Sequence, residues 1–126
     1  MSISTICSHP FKKCLFLIAN LNKNDRTFQT YLKEITFDFM SSFSIYEMDI
    51  NSNPEFIKAI GGIKDKKADI LAYNPRTRQY TRLNKKVTKN LISEFIKAYL
   101  REDKRLKYED GAKLDMIAIH RKDGIR

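Results

Sequence analysis

Two cysteines, Cys7 and Cys14, are the side chains of this 126-residue sequence with the clearest potential for covalent chemistry. They stand seven positions apart and no Cys-x-x-Cys pair occurs, which excludes dithiol exchange of the thioredoxin kind within the chain. Three interpretations remain open. They are two buried thiols, a local structural disulfide in an oxidising compartment, or a reactive pair, which the wide spacing disfavours. Their spacing relative to the two histidines predicts no zinc site, and we expect no other metal and no cofactor.

The two histidines predict no catalytic centre. His9 lies in an irregular stretch near the N-terminus and His120 lies near the C-terminus. Neither has a Ser, Cys or Asp partner at a recognisable spacing, so no triad is expected. The pair Gly61-Gly62 is interpreted as a helix stop and not as a phosphate-binding loop. The residues therefore predict a chain that is not itself an enzyme.

The formal net charge of +9 is concentrated in one central segment. Residues 64–89 contain nine basic and two acidic residues, whereas residues 1–63 sum to zero and residues 90–126 to +2. The nine basic residues are Lys64, Lys66, Lys67, Arg76, Arg78, Arg82, Lys85, Lys86 and Lys89. With Tyr73 and Tyr80 between them, they form a candidate patch for an anionic ligand such as RNA. The simpler interpretation, which we prefer, is a solvated hairpin whose charges prevent unwanted strand pairing.

The apolar pattern predicts the elements that would position these residues. A continuous apolar run predicts a buried strand from Lys13 to Asn20. Apolar residues three and four apart predict an amphipathic helix from Arg26 to Phe43, with Asn24 or Asp25 as its cap. The other predicted elements are a strand over 44–49, a short helix that begins after Asn53 and stops at Gly61-Gly62, a strand over 69–73, a turn over 74–77, a strand over 79–83, and a helix that Thr88 caps.

The resulting order of elements, β-α-β-α-β-β-α, predicts an α/β fold. The helix between the first two strands makes them parallel, and the tight turn makes the last two antiparallel. A mixed central sheet with helices on both faces is the thioredoxin-like arrangement. An apolar fraction of 42% is enough for a core and excludes a disordered chain, and no apolar run is long enough to span a membrane. We expect one domain over residues 1–105 and a charged tail over residues 106–126, with Met116 to Ile119 as its one apolar patch.

The position of the reactive cysteine in thioredoxin-like enzymes is chemically empty in this sequence. That cysteine lies at the N-terminus of the helix after the first central strand, where the helix dipole lowers the pKa of the thiol. The corresponding loop, Asn22-Lys23-Asn24-Asp25, contains no Cys, Ser or His. Ala68 occupies the place of the cis-proline before the third central strand, and we expect a trans bond there because a non-proline cis bond costs roughly 2.5–4 kcal/mol. The sequence therefore predicts a redox-inactive domain.

Several stretches resemble the C-terminal, non-catalytic b-type domain of the protein disulfide isomerases that carry two active thioredoxin domains ahead of it. The match runs from about Cys7 to about Leu106. Its most specific parts are Cys14-Leu15-Phe16-Leu17-Ile18, Ala59-Ile60-Gly61-Gly62, Ile70-Leu71-Ala72-Tyr73-Asn74 with the hairpin to Tyr80-Thr81-Arg82-Leu83, Ile92-Ser93-Glu94-Phe95-Ile96-Lys97, and Leu100-Arg101-Glu102. The upstream Cys7 also looks like the family pattern, whereas Ala68 departs from it because the family has proline there.

The resemblance implies a setting in the endoplasmic reticulum lumen and a parent protein whose active C-x-x-C sites lie outside this chain. It implies a redox-silent role in protein folding, either architectural or in binding unfolded and partner proteins, beside the catalytic domains of the same parent. The chain shows no signal peptide and no retention signal, so we expect a cytosolic protein or a piece of a longer one, and the luminal setting depends on the resemblance. The alternative is a basic thioredoxin-like component of a ribonucleoprotein, with nucleic acid as the less favoured partner.

Overall fold

The computed structural model describes residues 1–20, 26–63 and 68–120, and its helices and strands are as follows. The helices are α1 (Ile3–Ile6), α2 (Arg26–Phe39), α3 (Pro54–Ala59) and α4 (Lys89–Leu100), and a 3₁₀ helix covers Ala112–Met116. The strands are β1 (Lys13–Ala19), β2 (Phe43–Asp49), β3 (Ala68–Asn74), β4 (Gln79–Arg82) and β5 (Glu109–Asp110). Within these residues, no helix combines the length and the apolar character needed to cross a bilayer.

The five strands form one mixed sheet in the order β2-β1-β3-β4-β5. β1 and β2 are parallel, as the crossover through α2 requires, and the other neighbouring pairs are antiparallel. β1 pairs along its whole length with β2, where Lys13 lies opposite Phe43, and from Cys14 onward with β3, where Cys14 lies opposite Tyr73. This position explains the continuous apolar run of β1, since a strand inside a sheet covered on both faces needs apolar residues on both. The predicted α/β class and mixed sheet are confirmed.

Helices cover both faces of the sheet, also as predicted. Successive residues of β1 alternate between the faces, so that Phe16 packs on one and Leu17 on the other. The first face is covered by α1, α3 and the 3₁₀ helix, through Ile3, Ile6, Phe56 and Leu114. The second face is covered by α2 and α4, through Leu32, Ile35, Ile92, Phe95, Ile96 and Tyr99.

The end of α2 differs from the sequence prediction, whereas the start of α4 agrees with it. α2 ends at Phe39 and not at Phe43, because Phe43 is the buried first residue of β2. The predicted caps Asn24 and Asp25 lie outside the described residues. Thr88 caps α4 as predicted, since its hydroxyl oxygen accepts a hydrogen bond from the backbone N–H of Leu91 at 3.3 Å.

The C-terminal segment is more structured than the predicted charged tail. β5 pairs with β4, and Leu114 and Ile119 are buried in the core. The buried side chain of Asn53 holds the end of this segment: its Nδ2 donates to the carbonyl of His120 at 3.0 Å, and its Oδ1 accepts from the His120 N–H at 2.7 Å. Residues 109–120 therefore belong to the packed structure.

Candidate functional site

Cys7 and Cys14 form a disulfide with a Cα–Cα distance of 5.7 Å. The bond joins the end of α1 to β1, and both residues are buried. Since these are the only two cysteines of the chain, no free thiol remains. A buried disulfide is less accessible to an attacking thiolate than an exposed one. Among the three interpretations of the cysteines, the structure shows the local disulfide.

Only part of the predicted, chemically empty redox site lies within the described residues. The loop Asn22–Asp25 lies outside the described residues. Ala68 is the buried first residue of β3, opposite Ala19 of β1, and the bond before it starts at residue 67, which also lies outside them. Within the described ranges, no group of His, Cys, Asp and Glu side chains could hold a metal ion.

Two members of the predicted basic patch form ion pairs with carboxylates of the same chain. Arg82 is 11% exposed, and its Nε donates to Oδ2 of Asp69 at 2.8 Å. Its other guanidinium nitrogens donate to the carbonyls of Ile60 and Gly62. Lys89 is exposed but forms an ion pair with Glu34 of α2 at 2.6 Å, which favours the charged form of the lysine and raises its pKa. Lys64, Lys66 and Lys67 lie outside the described residues.

The rest of the patch is divided between two turns. Arg76 and Arg78 lie in the turn before β4, whereas Lys85 and Lys86 follow its other end, and all four are exposed. The two tyrosines between them are buried, so neither Tyr73 nor Tyr80 can stack on a base. Burial, together with the hydrogen bond that its hydroxyl donates to Glu109 at 2.9 Å, raises the pKa of Tyr80 to about 12. The described residues therefore do not form the continuous stacking patch that the sequence pattern indicated.

A cleft that the sequence did not predict opens at the end of the sheet where β1 begins. Its cavity volume is about 280 Å³. Its lining comes from the start of β1, the β3–β4 hairpin, the end of α4 and the segment before β5, and consists of Lys13, Asn74, Thr77, Gln79, Tyr99, Glu102 and Tyr108. Aromatic rings, amides and charged groups thus meet in one concave surface, which is a composition suited to binding.

Lys13 and Tyr99 lie next to each other in the lining of this cleft. The ammonium of Lys13 lies 5.1 Å from the centroid of the Tyr99 ring and 4.0 Å from Oε1 of Glu102. The Tyr99 ring packs between Phe43 and Tyr108, at centroid distances of 5.9 and 6.4 Å. Burial raises the pKa of the Tyr99 hydroxyl, which has no hydrogen-bond partner among the described residues. The Tyr99 ring is therefore fixed in the core, while the charged groups of Lys13 and Glu102 beside it remain accessible.

Three exposed apolar side chains belong to the segments that lead into β1 and β2. Phe11 is 92% exposed, Phe37 79% and Met40 56%. The Nζ of Lys12 donates to the carbonyl of Met40 at 3.1 Å, and this bond joins the segment before β1 to the segment before β2. The parallel register agrees, because the first residues of β1 and β2 lie opposite each other. We call Phe11, Phe37, Met40 and the cleft at this end of the sheet the sheet-end surface.

Part of this surface had a signal in the sequence. Phe37 lies off the apolar stripe of α2, and an aromatic residue outside the stripe of an amphipathic helix indicates exposure. No sequence pattern indicated the cleft, because its lining residues are distant from one another in the sequence. Comparisons with models of protein families and with curated proteins found no match for this chain.

Proposed function

We propose that this chain is a redox-inactive, thioredoxin-like module of a protein disulfide isomerase that binds unfolded or partner proteins. The observation that carries the proposal is the buried Cys7–Cys14 disulfide. Structural disulfides persist in oxidising compartments, and the endoplasmic reticulum lumen is one. The same bond leaves the chain without a thiol for exchange, so its contribution to folding would be binding and not catalysis.

The arrangement of elements supports the thioredoxin-like part of the proposal. From β1 to α4 the order is β-α-β-α-β-β-α, with a parallel pair β1–β2 and an antiparallel pair β3–β4. Helices pack on both faces of this mixed sheet. A fold hosts many functions, so the binding role depends on the sheet-end surface and on the resemblance in sequence.

A non-catalytic module of this kind would act through effective concentration. It would hold an unfolded client near catalytic domains of the same parent protein, and local concentration would then raise the rate of exchange there. The partners are accordingly unfolded proteins and the neighbouring catalytic domains.

Two assays on the purified chain test the proposal. With dithiothreitol and insulin, we expect no reduction above the buffer rate, because both cysteines are bonded and buried. With a chemically denatured client, we expect suppressed aggregation at a few molar equivalents. Measurable insulin turnover would contradict the redox-inactive part. Full aggregation together with no client binding by titration calorimetry would contradict the binding part.

The size of the native polypeptide tests the link to a larger enzyme. We expect an antibody against this chain to detect a band several domains larger than 14.8 kDa in a cell extract. A band of 14.8 kDa would count against a multidomain parent.

The ribonucleoprotein alternative has one supporting observation, the exposed guanidinium groups of Arg76 and Arg78. Binding of RNA through them would weaken steeply with salt, because counterions are released on binding. Titration of single-stranded RNA at low and high salt tests it. Binding that disappears in Arg76→Glu with Arg78→Glu would favour this alternative.

A further inference from the structure

We propose that the cleft of the sheet-end surface binds the main chain of an unfolded client through the carbonyl oxygens of its peptide groups. The inference depends on the proposed function, because it assigns a location and a ligand class to the same binding activity. Its basis is a group of side-chain N–H and O–H donors that lack acceptors, in a cleft whose charges sum to zero.

The register of the sheet sets the positions of three of these side chains. Cys14 lies opposite Tyr73, so Lys13 and Asn74, the next residues outward, are neighbours at the same end of β1 and β3. Asn74 in turn lies opposite Gln79 of β4. Opposite residues direct their side chains to the same face of a sheet, and here it is the face that α4 covers. Strand pairing therefore brings Lys13, Asn74 and Gln79 side by side.

The ammonium of Lys13 is the only charged donor in the lining of the cleft. It lies over the Tyr99 ring, and Oε1 of Glu102 is 4.0 Å away, which is beyond hydrogen-bond distance. Within the described residues, Nζ of Lys13 donates to no acceptor. The side chain is 28% exposed, so its N–H groups can be reached from the cleft.

The polar side chains of the hairpin between β3 and β4 add donors, because their oxygens already accept hydrogen bonds. Oδ1 of Asn74 accepts from the Arg76 N–H at 3.0 Å, and Oγ1 of Thr77 accepts from the Gln79 N–H at 3.3 Å. The NH₂ group of Asn74 and the hydroxyl hydrogen of Thr77 are left to donate. Neither finds an acceptor in the part of the chain that the structure describes. The cleft therefore favours a ligand that presents acceptors.

The charges of the lining favour an uncharged acceptor over an anion. Lys13 is the one cation and Glu102 the one anion among the described lining residues. Glu102 is 82% exposed and would repel a carboxylate that approached Lys13. A peptide carbonyl is an uncharged acceptor, and an unfolded chain carries one at every residue.

The size of the cleft limits how much of a client it holds. Its volume of about 280 Å³ is at the small end for ligand sites. It therefore accommodates one residue with its flanking peptide groups and not a long segment. Recognition of the main chain at such a site does not depend on the sequence of the client, as a module that binds many unfolded proteins requires.

Nuclear magnetic resonance with an uncharged peptide tests the location. The probe is a pentapeptide of Ser and Leu with an acetylated N-terminus and an amidated C-terminus, titrated into the isotope-labelled full chain. We expect the side-chain NH₂ signals of Asn74 and Gln79 and the backbone N–H signal of Thr77 to shift together. Shifts confined to residues outside the lining would overturn the location.

Two changes to the peptide test the ligand class. Thiocarbonyl groups, which are weak acceptors, in place of the central carbonyls should weaken binding at least about fivefold, because the donors of the cleft then lose their partners. Asp or Lys in place of Ser should change the affinity less than about threefold, because the lining has no net charge. Unchanged binding of the thiocarbonyl peptide, or a larger preference for either charge, would overturn the assigned ligand class.

Variants of the lining test the donors themselves. Lys13→Met with Gln79→Met removes donors from β1 and β4 and should weaken binding of the probe at least about tenfold. Lys12→Met is the matched control, because the ammonium of Lys12 donates to the carbonyl of Met40 outside the lining, and it should leave binding unchanged. Urea unfolding shows whether each variant folds. Gln79→Met alone, at an exposed position, replaces the double variant if that one unfolds, and should weaken binding at least about threefold.

The outcomes separate the location from the proposed function. Unchanged binding in the folded double variant, with aggregation of the client still suppressed, overturns the location and leaves the function intact. Suppression by the unaltered chain without binding of the peptide has the same meaning. Absence of both peptide binding and suppression in the unaltered chain contradicts the function itself.

Discussion

At the scale of single residues, the ion pair between Asp69 and Arg82 connects β3, β4 and the loop after α3. Oδ1 of Asp69 accepts hydrogen bonds from the N–H groups of Ile70 and Asn84 at 2.8 and 2.9 Å, while Oδ2 accepts from Arg82. Because the guanidinium also binds the carbonyls of Ile60 and Gly62, the loop after α3 is tied to β3 and β4.

Arg82→Met is expected to destabilise the protein by about 3–5 kcal/mol, since it leaves the carboxylate of Asp69 buried without its counter-charge. Urea unfolding followed by circular dichroism measures this change. Arg76→Met is the matched control at an exposed turn and should stay within about 0.5 kcal/mol. Equal unfolding free energies for the two variants would show that the Asp69–Arg82 pair does not stabilise the fold.

Tyr80 is expected to make stability fall at alkaline pH. Its pKa is raised from 10.0 to about 12 in the folded protein, mainly by burial and by the hydrogen bond to Glu109. The neutral phenol is therefore favoured in the folded state, and the unfolded chain ionises first as pH rises. The contribution of the neutral Tyr80 phenol to the free energy of unfolding is fully present below pH 10 and is lost as pH rises toward 12.

Urea unfolding between pH 9 and pH 12, compared for the native sequence and Tyr80→Phe, measures this decline. The variant should lose stability less steeply over that interval. Parallel curves for the two proteins would mean that Tyr80 ionises alike in the folded and unfolded states.

At the scale of elements, the disulfide attaches the four-residue helix α1 to the sheet. An isolated helix of this length is not stable in water, so α1 depends on its cap, on the contacts of Ile3 and Ile6 in the core, and on the bond from Cys7 to Cys14. The double variant Cys7→Ala with Cys14→Ala is expected to lose about 2–3 kcal/mol through the greater entropy of its unfolded chain.

Unfolding curves with and without a strong reductant test the same bond in the native sequence. The reduced protein should match the double variant, and the oxidised protein should be more stable than both. Identical midpoints for all three would contradict a stabilising role of the disulfide.

Elements that depend on local pattern were predictable, and those that depend on distant partners were not. The apolar run of β1 and the three-and-four spacing of α4 are properties of contiguous residues, and both lie where the sequence predicts them. α1 and β5 are too short for a periodic signal. β5 pairs with β4, and directly after it the Gly111 N–H donates to the carbonyl of Arg78 at 2.7 Å. A Cβ at Gly111 would come within 2.7 Å of the same oxygen, so this close approach needs glycine, and no local pattern reveals it.

The candidate site follows the same division. The lack of a Cys-x-x-Cys pair depends only on residue type, so the sequence alone predicts that dithiol exchange does not occur within the chain. Arg82 was assigned to a surface patch because nothing local shows that Asp69, thirteen residues away, would bind it inside the protein. Tyr73 and Tyr80 are buried partly by the segment around Gly111, which the sequence pattern had left outside the domain.

At the scale of the whole molecule, the N-terminal and C-terminal segments close the first face of the sheet together. The Ile119 N–H donates to the carbonyl of Met1 at 2.7 Å, and the Ser4 N–H donates to Oδ1 of Asp115 at 3.0 Å. Leu114 packs in the same apolar layer as Ile3. The predicted domain over 1–105 therefore lacks part of the core that the structure contains.

A chain that ends at residue 105 is accordingly expected to be at least about 4 kcal/mol less stable than one that ends at residue 120. Leu114 and Ile119 each account for about 1.5–3 kcal/mol of buried apolar surface, and their removal also leaves the buried Asn53 side chain without its contacts to His120. Urea unfolding of the two chains, with near-ultraviolet circular dichroism to report packing around the tyrosines, measures the difference. The full chain of 126 residues is the reference for both unfolding curves. If the 105-residue chain unfolds at the same urea concentration as the other two, the C-terminal segment is an appendage, and the domain is the smaller unit that the sequence pattern indicates.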